Sequence, residues 1–361
     1  MKPRVLFVSR SRYRLPLESQ VARKWDALAV ELDVRVLATG EGGDRRFRLV
    51  PARSPAFYLA LPFHVARELR AFRPSVVVAQ SPYEAGAALV GRVLARVPAR
   101  VLLEVHGDWR TATRLYGSPW RRLLEPFSRA AARTAVRRAD AVRTVSPYTS
   151  ALVRAVGVEP AASFTAYIDV EAFAGPAVPL PERPVVLFVG VLERYKNVQG
   201  LARAWRLVAA RLPAARLHVI GRGYEHAVVE QLVQEFPEQI VWEQWVPSAQ
   251  VAAALDASTV LVLPSSSEGL GRIVVEAFAR GRGVVATRVG GIPDVVEDGV
   301  SGILVEPDDA AALADALVRV LSDPGLARSL ADGARLAAQR WLQTPEEFSA
   351  RMRQLVDEIA G

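Results

Sequence analysis

Residues 260–294 read VLVLPSSSEGLGRIVVEAFARGRGVVATRVGGIPD. Val260–Leu263 is an unbroken apolar run that stops at Pro264, and polar Ser265, Ser266 and Ser267 lead into Glu268-Gly269-Leu270-Gly271. A helix-period stretch follows over Arg272–Ala279, then a second apolar run over residues 284–286. Strand, turn, helix and strand in that order make a βαβ unit. Its parallel strands are covered by helices on both faces, which is why they read as continuous hydrophobic runs. Two glycines at the turn let a backbone approach a ligand closely, and the free amides of a helix N-terminus suit an anion such as a diphosphate. The same turn also reads as an ordinary βα connection capped by serines.

Glu268 and Glu276 stand eight residues apart, and the run around Glu276 (Ile273, Val274, Val275, Ala277, Phe278) is apolar on nearly every side. A carboxylate there is expected off the solvent face, where ribose or sugar hydroxyls can supply its donors. It also reads as a glutamate favoured by the helix dipole, worth about 0.3–1 kcal/mol.

Working outward, the alternation recurs on both sides. In the first half, apolar runs at residues 5–8, 34–37, 76–79, 101–105 and 141–145 alternate with helical patterns at 17–31, 57–71, 85–95 and 119–138. It breaks at residues 174–184, AGPAVPLPERP, whose four prolines predict a stiff linker. It restarts with runs at 185–189, 217–220, 241–242, 260–263, 284–286 and 302–305. Two doubly wound, Rossmann-like α/β domains are therefore expected, at residues 1–175 and 176–344 and facing each other across a cleft. Residues 345–361 are read as an amphipathic helix returning to the first domain. A chain of 361 residues suits two such cores.

The composition excludes several classes. There are no cysteines, so disulfides and thiolate chemistry are out, and the four histidines (His64, His106, His218, His226) show no metal-ligand spacing on one helix face. MKPRVLFVSR reads as a short buried strand rather than a signal peptide, so a cytoplasmic location is expected. The net charge of +8 is uneven, with 28 Lys and Arg against 15 Asp and Glu over residues 1–178. That excess fits an anionic partner such as a membrane surface or phosphorylated acceptor, or simply solvated arginines; nucleic acid is not expected. Arg110, Arg114, Arg121, Arg122, Arg129, Arg133, Arg137 and Arg138 surround Trp109, Trp120, Leu123, Leu124 and Phe127. This basic stretch with aromatic anchors suits the inner face of a membrane, or a helix packed on the sheet with its arginines in water.

The run Ser-x-x-Glu-Gly-x-Gly-x-x-x-x-Glu-Ala, followed by Gly-Gly-Ile-Pro-Asp and Glu-Asp-Gly-Val-Ser-Gly, resembles the retaining glycosyltransferases of family four with the GT-B fold. More of the chain fits. Gly190 closes the first strand after the linker, and Arg194 and Lys196 follow where the family keeps a basic pair for the leaving diphosphate. The arginine usual directly after that glycine is Val191 here, leaving Arg194 as its substitute. Gly221-Arg222-Gly223 resembles the turn beside the nucleotide, and Trp245-Val246-Pro247 the loop that holds the base. His106, in Glu104-Val105-His106-Gly107-Asp108, resembles the histidine of the donor-sugar pocket. The departure is Ser9-Arg10-Ser11-Arg12-Tyr13-Arg14, which stands where relatives carry a double-glycine loop; Arg10, Arg12 and Arg14 become candidates for an acceptor or phosphate.

The resemblance implies hexosyl transfer from a nucleoside diphosphate sugar, with retention and without metal or cofactor, in envelope or glycan biosynthesis. Lys196, Arg194 and the amides near Gly269, Leu270 and Gly271 would stabilise the diphosphate. Glu276 would bind the ribose, Glu268 and Ser267 would lie at the donor, and His106 would orient the sugar. Domain closure about residues 174–184 and the C-terminal helix is expected. Another GT-B enzyme, such as a sugar phosphorylase or epimerase, stays open, though none of the three lysines (Lys2, Lys24, Lys196) reads as a pyridoxal phosphate anchor. A non-catalytic nucleotide-binding protein at the membrane also stays open.

Overall fold

The computed structural model describes residues 2–50, 56–110, 125–176 and 178–361. Arg114, Trp120, Arg121, Arg122, Leu123 and Leu124 of the basic stretch lie outside the described residues. The chain divides into two compact units. One runs up to Arg110, from Glu125 to Asp169 and from Gln343 to Gly361; the other runs from Val170 to Leu342.

The first unit is a seven-stranded parallel sheet: β1 (Arg4–Arg14), β2 (Asp33–Glu41), β3 (Phe47–Val50), β4 (Val76–Ala79), β5 (Arg100–Val105), β6 (Ala141–Thr144) and β7 (Ala162–Ser163), in the order β3-β2-β1-β4-β5-β6-β7. Helices α2 (Ala56–Phe72), α3 (Pro82–Ala95), α4 (Glu125–Arg138) and α5 (Pro147–Arg154) join β1, β4 and β5 in one core through Leu61, Val65, Ala88, Ala132 and Val153. On the other face α1 (Ser19–Glu31) packs beside the C-terminal helix, Pro345–Ala360. That helix buries Phe348, Met352, Leu355 and Val356, a spacing that brings all four to one stripe. Thr344 starts it with a capping box, accepting from the Glu347 amide while Glu347 accepts from the Thr344 amide.

The sequence ends the first strand at Val8, yet β1 continues to Arg14. After a register shift it pairs Arg12, Tyr13 and Arg14 with Thr39, Gly40 and Glu41. Gly40 permits this: at φ +139° it occupies a region side chains avoid, and a Cβ there would fall 1.8 Å from the Tyr13 carbonyl oxygen. The expected arginine-rich loop is thus a strand extension with a bulge.

The second unit is a six-stranded parallel sheet: β8 (Val185–Val189), β9 (Arg216–Ile220), β10 (Ile240–Glu243), β11 (Val260–Leu263), β12 (Gly283–Thr287) and β13 (Gly302–Val305), in the order β10-β9-β8-β11-β12-β13. Its helices are α6 (Val198–Arg211), α7 (His226–Glu235), α8 (Ser248–Asp256), α9 (Arg272–Ala279), α10 (Ile292–Val295), α11 (Ala310–Ser322) and α12 (Pro324–Ala338). Strand order reverses between β8 and β11, which pair only at Val186↔Val260 and Leu187↔Leu261. Beyond the carboxyl ends of two such strands lies the ligand crevice of an open α/β sheet.

The proline stretch expected to act as a hinge is fastened to this unit over its first part. Arg282, 1% exposed, donates to the carbonyls of Val178 and Pro179 as well as to those of Leu255 and Asp256. Arg280 donates to Phe173 O and pairs with Asp256. With its carbonyls held this way, the segment is a strap on the second unit.

Candidate functional site

The loops after β8 and β11 flank the reversal of strand order. Leaving β8, Gly190 donates its amide to Ile220 O at 3.0 Å, and Leu192 donates to Arg222 O at 2.9 Å. A Cβ on Gly221 would lie 1.9 Å from the Gly190 carbonyl oxygen, and one on Gly223 2.4 Å from that of Leu192. These glycines let one βα loop lie backbone-to-backbone on the next, forming a wall of the crevice. Trp242 Nε1 donates to Gly221 O at 2.9 Å from the neighbouring strand. Past it, Val246 is buried and Trp245 is exposed.

The loop then makes a single 3-10 turn, Arg194–Lys196, closed by Asn197 at φ +51°, whose side chain caps α6 by accepting from the Gly200 amide. The turn directs Lys196 inward, where Nζ meets Glu268 Oε1 at 2.6 Å with both side chains about 10% exposed. Ser265 Oγ donates to the same oxygen at 2.7 Å. The two loops are also joined through backbone, Ser266 N donating to Tyr195 O at 2.7 Å. Arg194 is half-buried in the same turn, and Val191, at the position expected for arginine, is exposed.

Glu268 is held from below by the Gly-Gly-Ile-Pro-Asp segment. Gly291 donates to Glu268 O at 3.1 Å, and Gly290, at φ +55°, would place a Cβ 1.9 Å from that oxygen. Ser267 and Gly269 are half-buried and Leu270 is buried. Gly271 starts α9 in the left-handed region, at φ +75°, and offers no side-chain acceptor to the first-turn amides. Val274 N donates to Gly271 O at 2.8 Å, and the amides ahead of it, at Arg272 and Ile273, suit an anion. One turn on, Glu276 is buried as its apolar surroundings predict, and the exposed Arg272 donates Nε to Glu276 Oε1 at 2.6 Å. Lys196, Glu268, Glu276 and the glycines thus converge on one end of one sheet. Arg272 was not singled out from the sequence, and Ser265 only as the first residue of the Ser-x-x-Glu run, Ser267 being taken for the site. Serine spacing before Glu268 was the available signal for Ser265, and the i, i+4 relation to Glu276 for Arg272.

The remaining candidates belong to the first unit. His106 follows β5, and its Nε2 lies 3.2 Å from Glu104 Oε2, while Arg143 Nη1 lies 2.5 Å from Glu104 Oε1. Asp108 accepts from Arg110 through backbone and guanidinium and from Tyr148 Oη at 3.0 Å. Burial and the Asp108 charge push the Tyr148 phenol up to about 12. Arg10, Arg12 and Arg14 are exposed, with Arg12 paired to Glu41 at 3.0 Å. Arg143 carries no sequence signal, since it interrupts a short apolar run as a surface cation would. Among the described residues no group of three or more His, Asp or Glu side chains could hold a metal, and no helix is long and apolar enough to cross a membrane.

Comparison with known proteins gives matches in both units. Glycosyl transferases group 1 matches residues 183–323, and the glycosyl transferase 4-like domain residues 10–163. The chain is 32% identical over 189 residues to the D-inositol 3-phosphate glycosyltransferase of Corynebacterium urealyticum, a stretch covering 49% of this chain and 44% of that protein. It is 29% identical over 254 residues to the GDP-mannose-dependent alpha-(1-6)-phosphatidylinositol monomannoside mannosyltransferase of Mycolicibacterium smegmatis, covering 64% and 65%. The match thus spans under half the length of the first relative and about two thirds of the second. In fold the chain is similar to a sucrose-phosphate synthase from Thermosynechococcus elongatus, with TM-score 0.80 and 22% identity over 99% of both chains. It is similar also to Anabaena HepE in complex with UDP and glucose, with TM-score 0.73 and 16% identity over 99% and 98%. Matched in sequence across both units and in fold along nearly its whole length, this chain belongs to the family-four, group 1 glycosyltransferases of GT-B fold.

Proposed function

We propose that the protein transfers a hexosyl group from a nucleoside diphosphate sugar to an acceptor, with retention at the anomeric carbon and without a metal ion. One observation carries this: a buried lysine and a half-buried glutamate, from two different loops, meet at the reversal of strand order beside a helix with no side-chain cap at its first turn. A diphosphate leaving group develops charge as the glycosidic bond breaks, and fixed donors in a crevice stabilise that charge without reorganising. Lys196, Arg194 and the amides after Gly271 take that role, and Glu276 binds the ribose once Arg272 swings aside. Glu268 accepts from donor-sugar hydroxyls, and His106 orients the transferred sugar. Glu276→Ala and Lys196→Ala are each expected to abolish transfer while keeping a folded spectrum; full activity in either removes the site assignment. Melting-point shifts with UDP-, GDP- and ADP-sugars read the base, because a ligand bound only to the native state raises its melting temperature.

The acceptor is proposed to be lipid-linked and approached at an anionic leaflet. Helix α4 exposes Arg129, Arg133, Arg137, Arg138 and Phe127, while Leu59 and Phe63 of α2 and Val93 of α3 are also exposed. Arginines around large apolar side chains suit a headgroup layer. The related mannosyltransferase is named for a phosphatidylinositol mannoside. Flotation with anionic but not neutral liposomes is expected; no flotation with either leaves a water-soluble acceptor.

A further inference from the structure

The first unit holds a buried carboxylate that no step above uses. Glu104 on β5 stands opposite Arg143 on β6 in the parallel register, and the two are 3% and 0% exposed. Arg143 cannot leave this place. Its Nη1 donates to Glu104 Oε1 at 2.5 Å, and its Nη2 donates to Phe164 O at 3.0 Å and Thr165 O at 2.8 Å. Its guanidinium also lies 4.0 Å over the Phe164 ring. The second carboxylate oxygen, Oε2, faces His106 Nε2 at 3.2 Å. Burial pushes the Glu104 carboxyl up, but Arg143, His106 and Lys24 outweigh it and hold it at about 2. Glu104 is therefore ionised throughout the neutral range.

An ionised carboxylate only accepts hydrogen bonds, so the ring nitrogen facing it carries a proton. In neutral imidazole the bare lone pair then sits on Nδ1. The hydrogen itself is inferred from the partner. A bare Nδ1 accepts from a hydroxyl and repels an ether or phosphate oxygen, which makes the tautomer a selection for what His106 can hold.

We propose that Glu104, clamped by Arg143, is a positioning residue for His106: it locks the ring as the Nε2–H tautomer and presents Nδ1 as the acceptor for a donor-sugar hydroxyl. The proposal rests on the assignment of His106 to the transferred sugar. A carboxylate behind a histidine fixes ring orientation and tautomer; behind metal-bound histidines its loss lowers activity about 10–100-fold, and the same order is expected for a histidine that holds a sugar. Arg143 keeps that carboxylate from being an uncompensated buried charge.

The test is the nitrogen NMR spectrum of the intact protein at neutral pH. Only four histidines are present, and His106→Asn identifies the signal. A pyrrole-type Nε2 with a pyridine-type Nδ1 is expected; a protonated Nδ1 with a bare Nε2 overturns the proposal. Glu104→Gln keeps the volume, and its amide carbonyl stays on Arg143, which can only donate. Its NH2 then turns to Nε2, and the proton moves to Nδ1. The two shifts should exchange, and kcat should fall about 10–100-fold with a small change in donor KM. Exchanged shifts with an unchanged kcat overturn the proposal, and if Glu104→Gln fails to fold, the unsubstituted spectrum decides it. Full transfer by His106→Ala is a different failure: it overturns the donor-sugar assignment itself, whatever the tautomer.

Discussion

Removing Lys196 should separate what its ion pair does for the fold from what it does for the reaction. Lys196→Met takes the cation from Glu268, with which it meets at 2.6 Å at about 10% exposure on each side. Unit charges about 4 Å apart attract by about 4 kcal/mol at an effective dielectric near 20, and breaking a buried pair from one side costs about 3–5 kcal/mol. Ser265 still donates to the same carboxylate oxygen at 2.7 Å, so the lower end, about 3 kcal/mol, is expected. In a unit of this size 1 kcal/mol moves the melting temperature by about 2–4 °C, giving a fall of about 6–12 °C. Glu268→Gln, which leaves the lysine facing a neutral amide, is expected to cost about 2 kcal/mol. The double variant has no buried charge left unpaired and should lose less than the sum, with a coupling of about 1–3 kcal/mol. Its melting temperature recovers, but transfer of labelled sugar does not, since the departing diphosphate still lacks its cation. Additive losses of stability, or transfer by the double variant, would refute the reasoning.

Three other outcomes are expected. Gly290→Ala adds a Cβ 1.9 Å from Glu268 O at a backbone angle that disfavours side chains; a loss of at least about 2 kcal/mol and a smaller donor-induced melting shift are expected. Arg282→Met takes the guanidinium donor from the carbonyls of Val178, Pro179 and Asp256, while Leu255 O keeps Ser258 N and Oγ. Limited proteolysis should then cut within residues 174–184, where the parent protein resists, and stability should fall by about 3 kcal/mol. Glu104 has a folded value of about 2 against an ordinary 4.5, so its contribution is fully present above about pH 4.5 and is lost as pH falls through 2. By order of magnitude that is about 3 kcal/mol; urea unfolding between pH 5 and pH 3 should show the decline, and Glu104→Gln should flatten it.

The second sheet was legible nearly to the residue because its strands are apolar runs between breakers: Val185–Val189, Val260–Leu263 and Gly302–Val305 stand as read. β1 was cut short because Ser9 to Arg14 alternates serine with arginine, and its pairing depends on Gly40, distant in sequence. β3 was missed because Arg45, Arg46 and Arg48 break up its apolar residues, and β7 because it has only two residues. At the candidate site, a local motif could name Lys196, Glu268 and Glu276 as candidates, while residues defined by pairing across the fold carried no such signal. Arg143 reaches Glu104 only through the register of β5 on β6. Arg282, in the segment Arg280-Gly281-Arg282-Gly283, reads as a solvated loop cation, yet its partners are carbonyls the sequence cannot align. The prolines marked a break in the alternation but gave no sign of what holds the segment.

Both units neutralise a carboxylate just inside, or just beyond, the carboxyl end of an inner strand, and they use different cations. Arg143 presents a rigid fork whose Nη2 donates to the Phe164 and Thr165 carbonyls, with an aromatic ring stacked beneath it. Moving it would strand several partners together, so Glu104 stays neutralised for the life of the fold. Lys196 holds Glu268 through one flexible ammonium, which a serine hydroxyl can partly replace at the same oxygen. An ammonium can redirect its three donors at little cost, and an arriving diphosphate competes for it with more charge than one carboxylate. The permanent pair suits a residue that must hold a histidine in one orientation. The exchangeable pair suits one that must bind substrate, since releasing Lys196 to phosphate frees Glu268 to accept from sugar hydroxyls in the same step. Lys196→Arg should therefore fail in a particular way: the fold stays intact, because the charge is kept, but donor affinity falls, because a bidentate fork on Glu268 is harder to displace than a single ammonium.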